Sequence, residues 1–159
     1  ATLRYDAAWA AAAAAELASG APRTEATGPI AAVRIGDGAL ATGPGEIFTE
    51  IGLAVKERSP AAITAYGAYA NGLLTYFATA AEYPHGGYEP GFGNRSFGLP
   101  AQVTEEAERI LVETAVRLVE RLWPDASPWP AERGFAHAGG LAAPTATAYV
   151  HPAAPASGR

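Results

Sequence analysis

The chain of 159 residues has no cysteine, no methionine and no histidine before His85. Without cysteine there is no disulfide, no thiolate nucleophile and no cysteine-based metal site. The compartment stays open, because secreted bacterial proteins also often lack cysteine. Charge is sparse, at 17% of residues, with a formal net charge of −5. No basic patch forms anywhere, which argues against a nucleic-acid partner. Long hydrophobic runs are missing too. The stretch Ala7–Leu17 is alanine-rich, but Asp6 and Glu16 bracket it and it is too short to span a membrane. It reads as a helix rather than a leader. HExxH, GxSxG and Walker patterns are all absent. The chain opens on Ala1 rather than methionine, which suggests a processed or trimmed polypeptide.

What is present is apolar and small. Hydrophobic residues make up 49%, enough for one domain with a core. A first helix is expected over Asp6–Leu17, with Asp6 as its N-cap and Ser19-Gly20 as its stop. A loop should follow over Ala21–Pro29. Ile30–Ile35 and Ala39–Thr42 flank Gly36-Asp37-Gly38, which predicts a hairpin. Gly43-Pro44-Gly45 reads as a sharp turn, and a helix is expected from Glu46 to Glu57 or Arg58. Ala61–Ala70 is apolar on both faces, as in a strand buried between two layers. Asn71-Gly72 is a turn, Leu73–Phe77 a short apolar run, and Thr79 a cap for a helical turn through Tyr83. Pro84–Pro100 reads as a long loop rich in glycine, proline and aromatics. Val103–Trp123 predicts the longest helix, capped by Thr104. From Pro124 to Arg159 there are six prolines and no periodicity, so an irregular tail over 124–159 is expected.

The residues able to do chemistry concentrate between Pro44 and Tyr88. Glu46 follows Pro-Gly at a strand-to-helix turn, where open α/β sheets place ligands. A glutamate there equally complements a helix dipole. Tyr69, Tyr76, Tyr83 and Tyr88 sit at element ends. Each equally reads as a ring in the core with its hydroxyl in water. His85 reads as a solvated loop histidine, and His137 and His151 lie in the tail. Asn71 is explained by its turn, with a side chain also able to brace a site.

The order of these motifs resembles the C-terminal part of the catalytic domain of neutral/alkaline ceramidases and their bacterial relatives, over about residues 28–123. The Pro44-Gly45-Glu46 triplet is similar to that family's Pro-Gly-Glu, whose glutamate ligates a catalytic zinc. Asn71 and Tyr76, five positions apart, are similar to an Asn and a zinc-ligating Tyr. Tyr88-Glu89 is similar to the family's Tyr-Glu pair, whose Tyr contacts the scissile amide, and Glu82-Tyr83 matches the Glu-Tyr before it. The resemblance therefore implies Glu46 and Tyr76 as metal ligands and Tyr88 as the substrate or oxyanion contact. A donor well placed at an oxyanion is worth ~3 kcal/mol. The cofactor implied is zinc, which leaves one position for water and brings that water to a pKa of about 7.

The departures carry as much. The family's zinc histidines and its serine lie upstream of the matched region, and this chain has no histidine there. Gly87 precedes the Tyr-Glu pair where ceramidases have an Arg, and Ile47-Phe48 replace two threonines. Two ligands are too few for a catalytic zinc. The hairpin, the small-residue strand and the alanine-rich helix also look underpacked alone. The expected fold is α/β, a layered mixed sheet with flanking helices over 1–123, completed by a second chain. The expected function is a subunit or processed fragment of a zinc-dependent amide hydrolase. A larger N-terminal chain would supply histidines, and a small-molecule or lipid amide would be the substrate. The alternative is a noncatalytic structural or binding subunit that keeps the family's scaffold. The family's habit favours secretion or the cell surface. No transmembrane segment is expected.

Overall fold

Gly36 and Asp37 close the hairpin that the sequence predicts. Strands β2 (Ala31–Ile35) and β3 (Gly38–Thr42) pair antiparallel with Ile35 opposite Gly38. Gly36 takes φ 64°, a left-handed conformation open to glycine at no steric cost. The computed structural model describes residues 2–124, 141–142 and 145–149, with side chains over 4–124. Helix α1 spans Thr2–Ala18, and strand β1 (Glu25–Pro29) follows inside the expected loop. Its partner is β8 (Thr145–Tyr149), antiparallel, with Glu25 opposite Tyr149.

The main sheet has four described strands in the order β5-β3-β2-β7, with β5 at Ile63–Gly67 and β7 at Leu141–Ala142. It is mixed: β3 and β5 run parallel, while β2 is antiparallel to β3 and to β7. A second, parallel pair joins β4 (Glu46–Ile47) to β6 (Tyr76–Phe77). Helices α2 (Thr49–Arg58) and α4 (Glu106–Arg121) pack on one another and cover one face of the main sheet. The fold is therefore α/β, with helices flanking a mixed sheet, as expected.

The core lies between that face and those helices. Ala32, Ala39 and Ala41 turn inward from β2 and β3, and Ile51 and Val55 come from α2. Leu111, Ala115, Leu118 and Val119 form the inner stripe of α4, at the spacing of one helix face. Phe77 of β6 is 1% exposed and is the largest fully buried side chain described. Burying a side chain of that size contributes about 1.5–3 kcal/mol. The inner strand residues are mostly alanine, so the bulk that fills the core comes from the helices. Arg34 also points inward. Its guanidinium lies 4.4 Å from the Trp123 ring centroid and donates to the carbonyl oxygens of Leu122 and Gly36.

Several boundaries differ from expectation, each for a local reason. Asp6 lies inside α1 rather than capping it, and its carboxylate sits 3.5 Å from Arg95. Helix α2 begins at Thr49, because Glu46 and Phe48 give their N–H groups to Thr75 and Phe77 as a strand does. Strand β5 is not buried on both faces. It is the edge of the described sheet, and Ile63 is 70% exposed. The expected 84–100 loop is built of short helical turns: Ala80–His85 and Gly93–Phe97 in 3₁₀ form, with α3 (Tyr88–Gly91) between them. The carbonyl of Thr104 accepts from Ala107 at the start of α4, where the sequence suggested its hydroxyl as the cap. Within the stretch read as an irregular tail, β7 and β8 are strands, and β8 lies beside α4. The remainder of that stretch, including His137 and His151, falls outside the described residues. No described helix is long and apolar enough to cross a membrane.

Candidate functional site

Beyond Thr42 the backbone keeps pairing with its neighbours. The chain continues as Gly43-Pro44-Gly45 and enters β4, flanked by two segments. Gly43 donates to Gly67, and Tyr69 and Ala70 donate back to Gly45 and Gly43. On the other side Leu74 donates to Pro44 and Glu46 to Thr75. The Pro-Gly-Glu run thus lies hydrogen-bonded between two segments, just beyond the carboxyl ends of the parallel pair β3 and β5. Ligands of open α/β sheets bind at such ends.

Gly45 is required there. A Cβ on it would lie 2.5 Å from the Phe77 ring and 2.5 Å from the Thr75 carbonyl oxygen. A Cβ on Gly43 would fall 2.6 Å from the Tyr66 hydroxyl and 2.5 Å from Ile47. The two glycines let three chain segments approach closely, and that approach sets the position of the residue between and after them.

Glu46 and Tyr76, thirty positions apart in sequence, are direct register partners in the β4·β6 pair. The Tyr76 phenol is pushed up to about 12, first by burial and then by the neighbouring Glu46 carboxylate. Tyr69 donates its hydroxyl to Glu46 Oε2 at 2.7 Å, and that acceptor raises the Tyr69 phenol as well. Two phenols therefore converge on one carboxylate. Tyr69 and Asn71 both have positive φ, 60° and 61°, and are the described non-glycine residues that do. Strain of this kind concentrates at functional sites.

Tyr88 opens α3 and packs edge-on against Tyr76, with ring centroids 5.3 Å apart. Its hydroxyl is 3.0 Å from Ser96 Oγ. Phe97 meets the Tyr76 ring at 5.4 Å, and Gly93 is packed so close that a Cβ there would touch that ring at 2.6 Å. The helical turns after residue 84 thus form the wall that holds the Tyr76 and Tyr88 rings.

Glu46, Tyr76 and Tyr88 are therefore brought together, as the sequence grouping expects. The other candidates separate from them. Tyr83 sends its hydroxyl to the Val103 carbonyl at 2.9 Å, a packing role. His85 is exposed at the end of its 3₁₀ turn, and Asn71 is exposed in its turn. Tyr69 and Ser96 are the additions that sequence reasoning undervalued. The Tyr69-Ala70-Asn71-Gly72 run was the available signal for the first. Nothing marked Ser96, whose role arises only when α3 folds back.

Two oxygen donors, a carboxylate and a phenol that a cation would convert to phenolate, suit zinc as part of a ligand set. Among the described residues no cluster of three or more His, Cys, Asp or Glu could hold a metal. The chemistry of the donors fits, and their number alone does not complete a site. Comparison with protein-family models, with curated proteins and with solved structures finds no match for this chain.

Proposed function

We propose that this chain contributes part of the active site of a zinc-dependent amide hydrolase resembling the neutral ceramidases. Glu46 and Tyr76 would hold the metal, and Tyr88 would meet the substrate. The observation that carries this reading is the register pairing of Glu46 with Tyr76 at the carboxyl ends of parallel strands, with the Tyr88 ring against Tyr76. Bound zinc would supply a Lewis acid and an activated water for attack on a linear amide or lactam-like carbonyl. The remaining ligands, histidines, and any nucleophilic serine would come from a larger polypeptide.

The residues described here then have definite tasks. Tyr69 orients the Glu46 carboxylate by donating to its Oε2. The Tyr88 hydroxyl, held by Ser96, is exposed enough to donate to an oxygen that becomes charged. The metal content of the assembled protein tests the reading. Glu46→Gln and Tyr76→Phe should each lower zinc occupancy and amide turnover by about tenfold or more. Full zinc and full turnover in both variants would overturn the assignment.

A second reading has its own observation. Glu46 already accepts a hydrogen bond from the Tyr69 hydroxyl, which also suits a packing role in a noncatalytic subunit. On that reading the assembled protein carries no zinc, and Glu46→Gln leaves assembly unchanged.

A further inference from the structure

Helix α1 leaves a groove along one flank. Ala10, Ala14 and Leu17 share that flank and face Pro22 and Pro100, with the Trp9 ring beside them. The space they enclose is about 290 Å³, because alanine side chains are too short to reach the opposite wall. The Trp9 ring is fixed at its edge, where Nε1 donates to the Leu99 carbonyl at 2.8 Å. Leu17 is 49% exposed. The one cation on the wall, Arg23, is already met: its guanidinium lies 2.9 Å from Glu16 and donates to the Gly98 carbonyl. Such a groove suits an uncharged, rigid, apolar ligand. Proline-rich segments dock aromatic-lined grooves of this kind, because their polyproline helix is formed in advance and little entropy is lost on docking.

We infer that this groove is the seat of the chain's own segment 150–159, which lies outside the described residues, and that Pro152 and Pro155 are its anchors. Strand β8 runs antiparallel to β1 and ends with Tyr149 opposite Glu25. The chain therefore leaves β8 in the direction of Thr24, Arg23 and Pro22, and the last two belong to the groove. Only Val150 and His151 separate Tyr149 from Pro152. Pro152-Ala153-Ala154-Pro155 is also the one place in the chain where two prolines stand three positions apart. Three residues make one turn of a polyproline helix, so the two rings fall on one face, about 9 Å apart. From Leu17 to Ala10 the helix flank is about 10 Å long at 1.5 Å per residue, a matching span. No Asp, Glu, Lys or Arg occurs between Val150 and Gly158, in keeping with a groove whose charge is already paired. Docked there, the segment fastens α1, whose alanines bury little, to the strand pair β1 and β8. The inference stands apart from the zinc reading.

The absence of cysteine makes the test direct, because each introduced thiol is the chain's only one. Ala14→Cys and Leu17→Cys are made singly in the groove, with Lys56→Cys on the exposed side of α2 as the reference. Each is made in the full chain, and again in the full chain carrying Pro152→Ala together with Pro155→Ala. All are reacted with N-ethylmaleimide. A tethered segment has an effective concentration of millimolar order, so even weak docking slows the groove thiols by about tenfold. The expected result is that slowing with the prolines in place, and reaction near the reference rate without them. Equally fast reaction in both backgrounds overturns the inference. So does equally slow reaction in both, which would give the groove to another segment. Slowing that grows with protein concentration, in a species of twice the chain's mass, also overturns it and marks a second copy. The cysteine-free chain supplies a reading that no groove substitution can disturb. The Trp9 indole N–H resonance should move when Pro152 and Pro155 are replaced, and an unmoved resonance counts against docking.

Discussion

Tyr69 is held at φ 60°, where a bulky side chain is rarely found and the cost is about 1–3 kcal/mol. The return is the 2.7 Å hydrogen bond that fixes Glu46. Tyr76 faces the same carboxylate, and burial and Glu46 together keep its phenol protonated up to about 12. The pH consequence follows from the sign of that shift. An unfolded tyrosine titrates near pH ~10, so the folded state holds this proton more tightly. The stability it contributes is fully present below pH ~10 and is lost as the pH rises towards 12. Burial moves Tyr83 in the same direction, to about 12, and it raises Tyr66 as well. Melting temperatures of the metal-free chain should therefore fall between pH ~10 and ~12, and Tyr76→Phe should shrink that fall. Zinc at the proposed site should have the opposite effect, producing a tyrosinate absorbance near neutral pH that Tyr76→Phe abolishes.

At the scale of elements, α1 shows how little an alanine-rich helix has to hold it. Ala13 is its buried alanine, and most of its other alanines face solvent. Its attachment depends on a few polar contacts to the 95–99 segment. The Tyr5 hydroxyl donates to the Arg95 carbonyl, and Trp9 Nε1 donates to the Leu99 carbonyl at 2.8 Å. The Arg95 guanidinium lies 4.8 Å from the Trp9 ring centroid. Trp9→Ala removes the hydrogen bond and the cation–π partner together, at a cost of about 2–4 kcal/mol. The expected outcome is local. Limited proteolysis should cut within residues 2–18 much faster, while amide exchange in α4 stays unchanged. Loss of the whole fold would show that α1 is integral to the core. The 95–99 segment also carries Ser96 and Phe97, so a loosened α1 should disturb the Tyr88 and Tyr76 rings before it disturbs the sheet.

At the scale of the molecule, the two described strands beyond Pro124, β7 and β8, belong to the fold. Strand β8 supplies the described partner of β1, and β7 extends the main sheet from β2. Deleting residues 125–159 leaves both β1 and β2 with an unpaired edge. Thermal unfolding should then shift down by several degrees, the size of shift expected from about 1–2 kcal/mol in a domain of this length. An unchanged melting curve would show that β7 and β8 add no stability.

The sequence by itself determined the local events. Gly36-Asp37 set the hairpin, and the stripe from Leu111 to Val119 set α4, because turn chemistry and helical periodicity act over a few residues. It also grouped Glu46, Tyr76 and Tyr88 as candidates. Only the tertiary structure decided what depends on distant pairing. Glu46 lies in a strand because Thr75 and Phe77 accept hydrogen bonds from its segment, and no propensity near residue 46 encodes that. Strand β5 became an edge, and β1 and β8 became strands, because the partner of a strand is chosen by the whole chain. The same apolar alternation reads alike whether a side chain is covered or not, so the exposure of Ile35 and Ile63 was visible only once the strands were assembled.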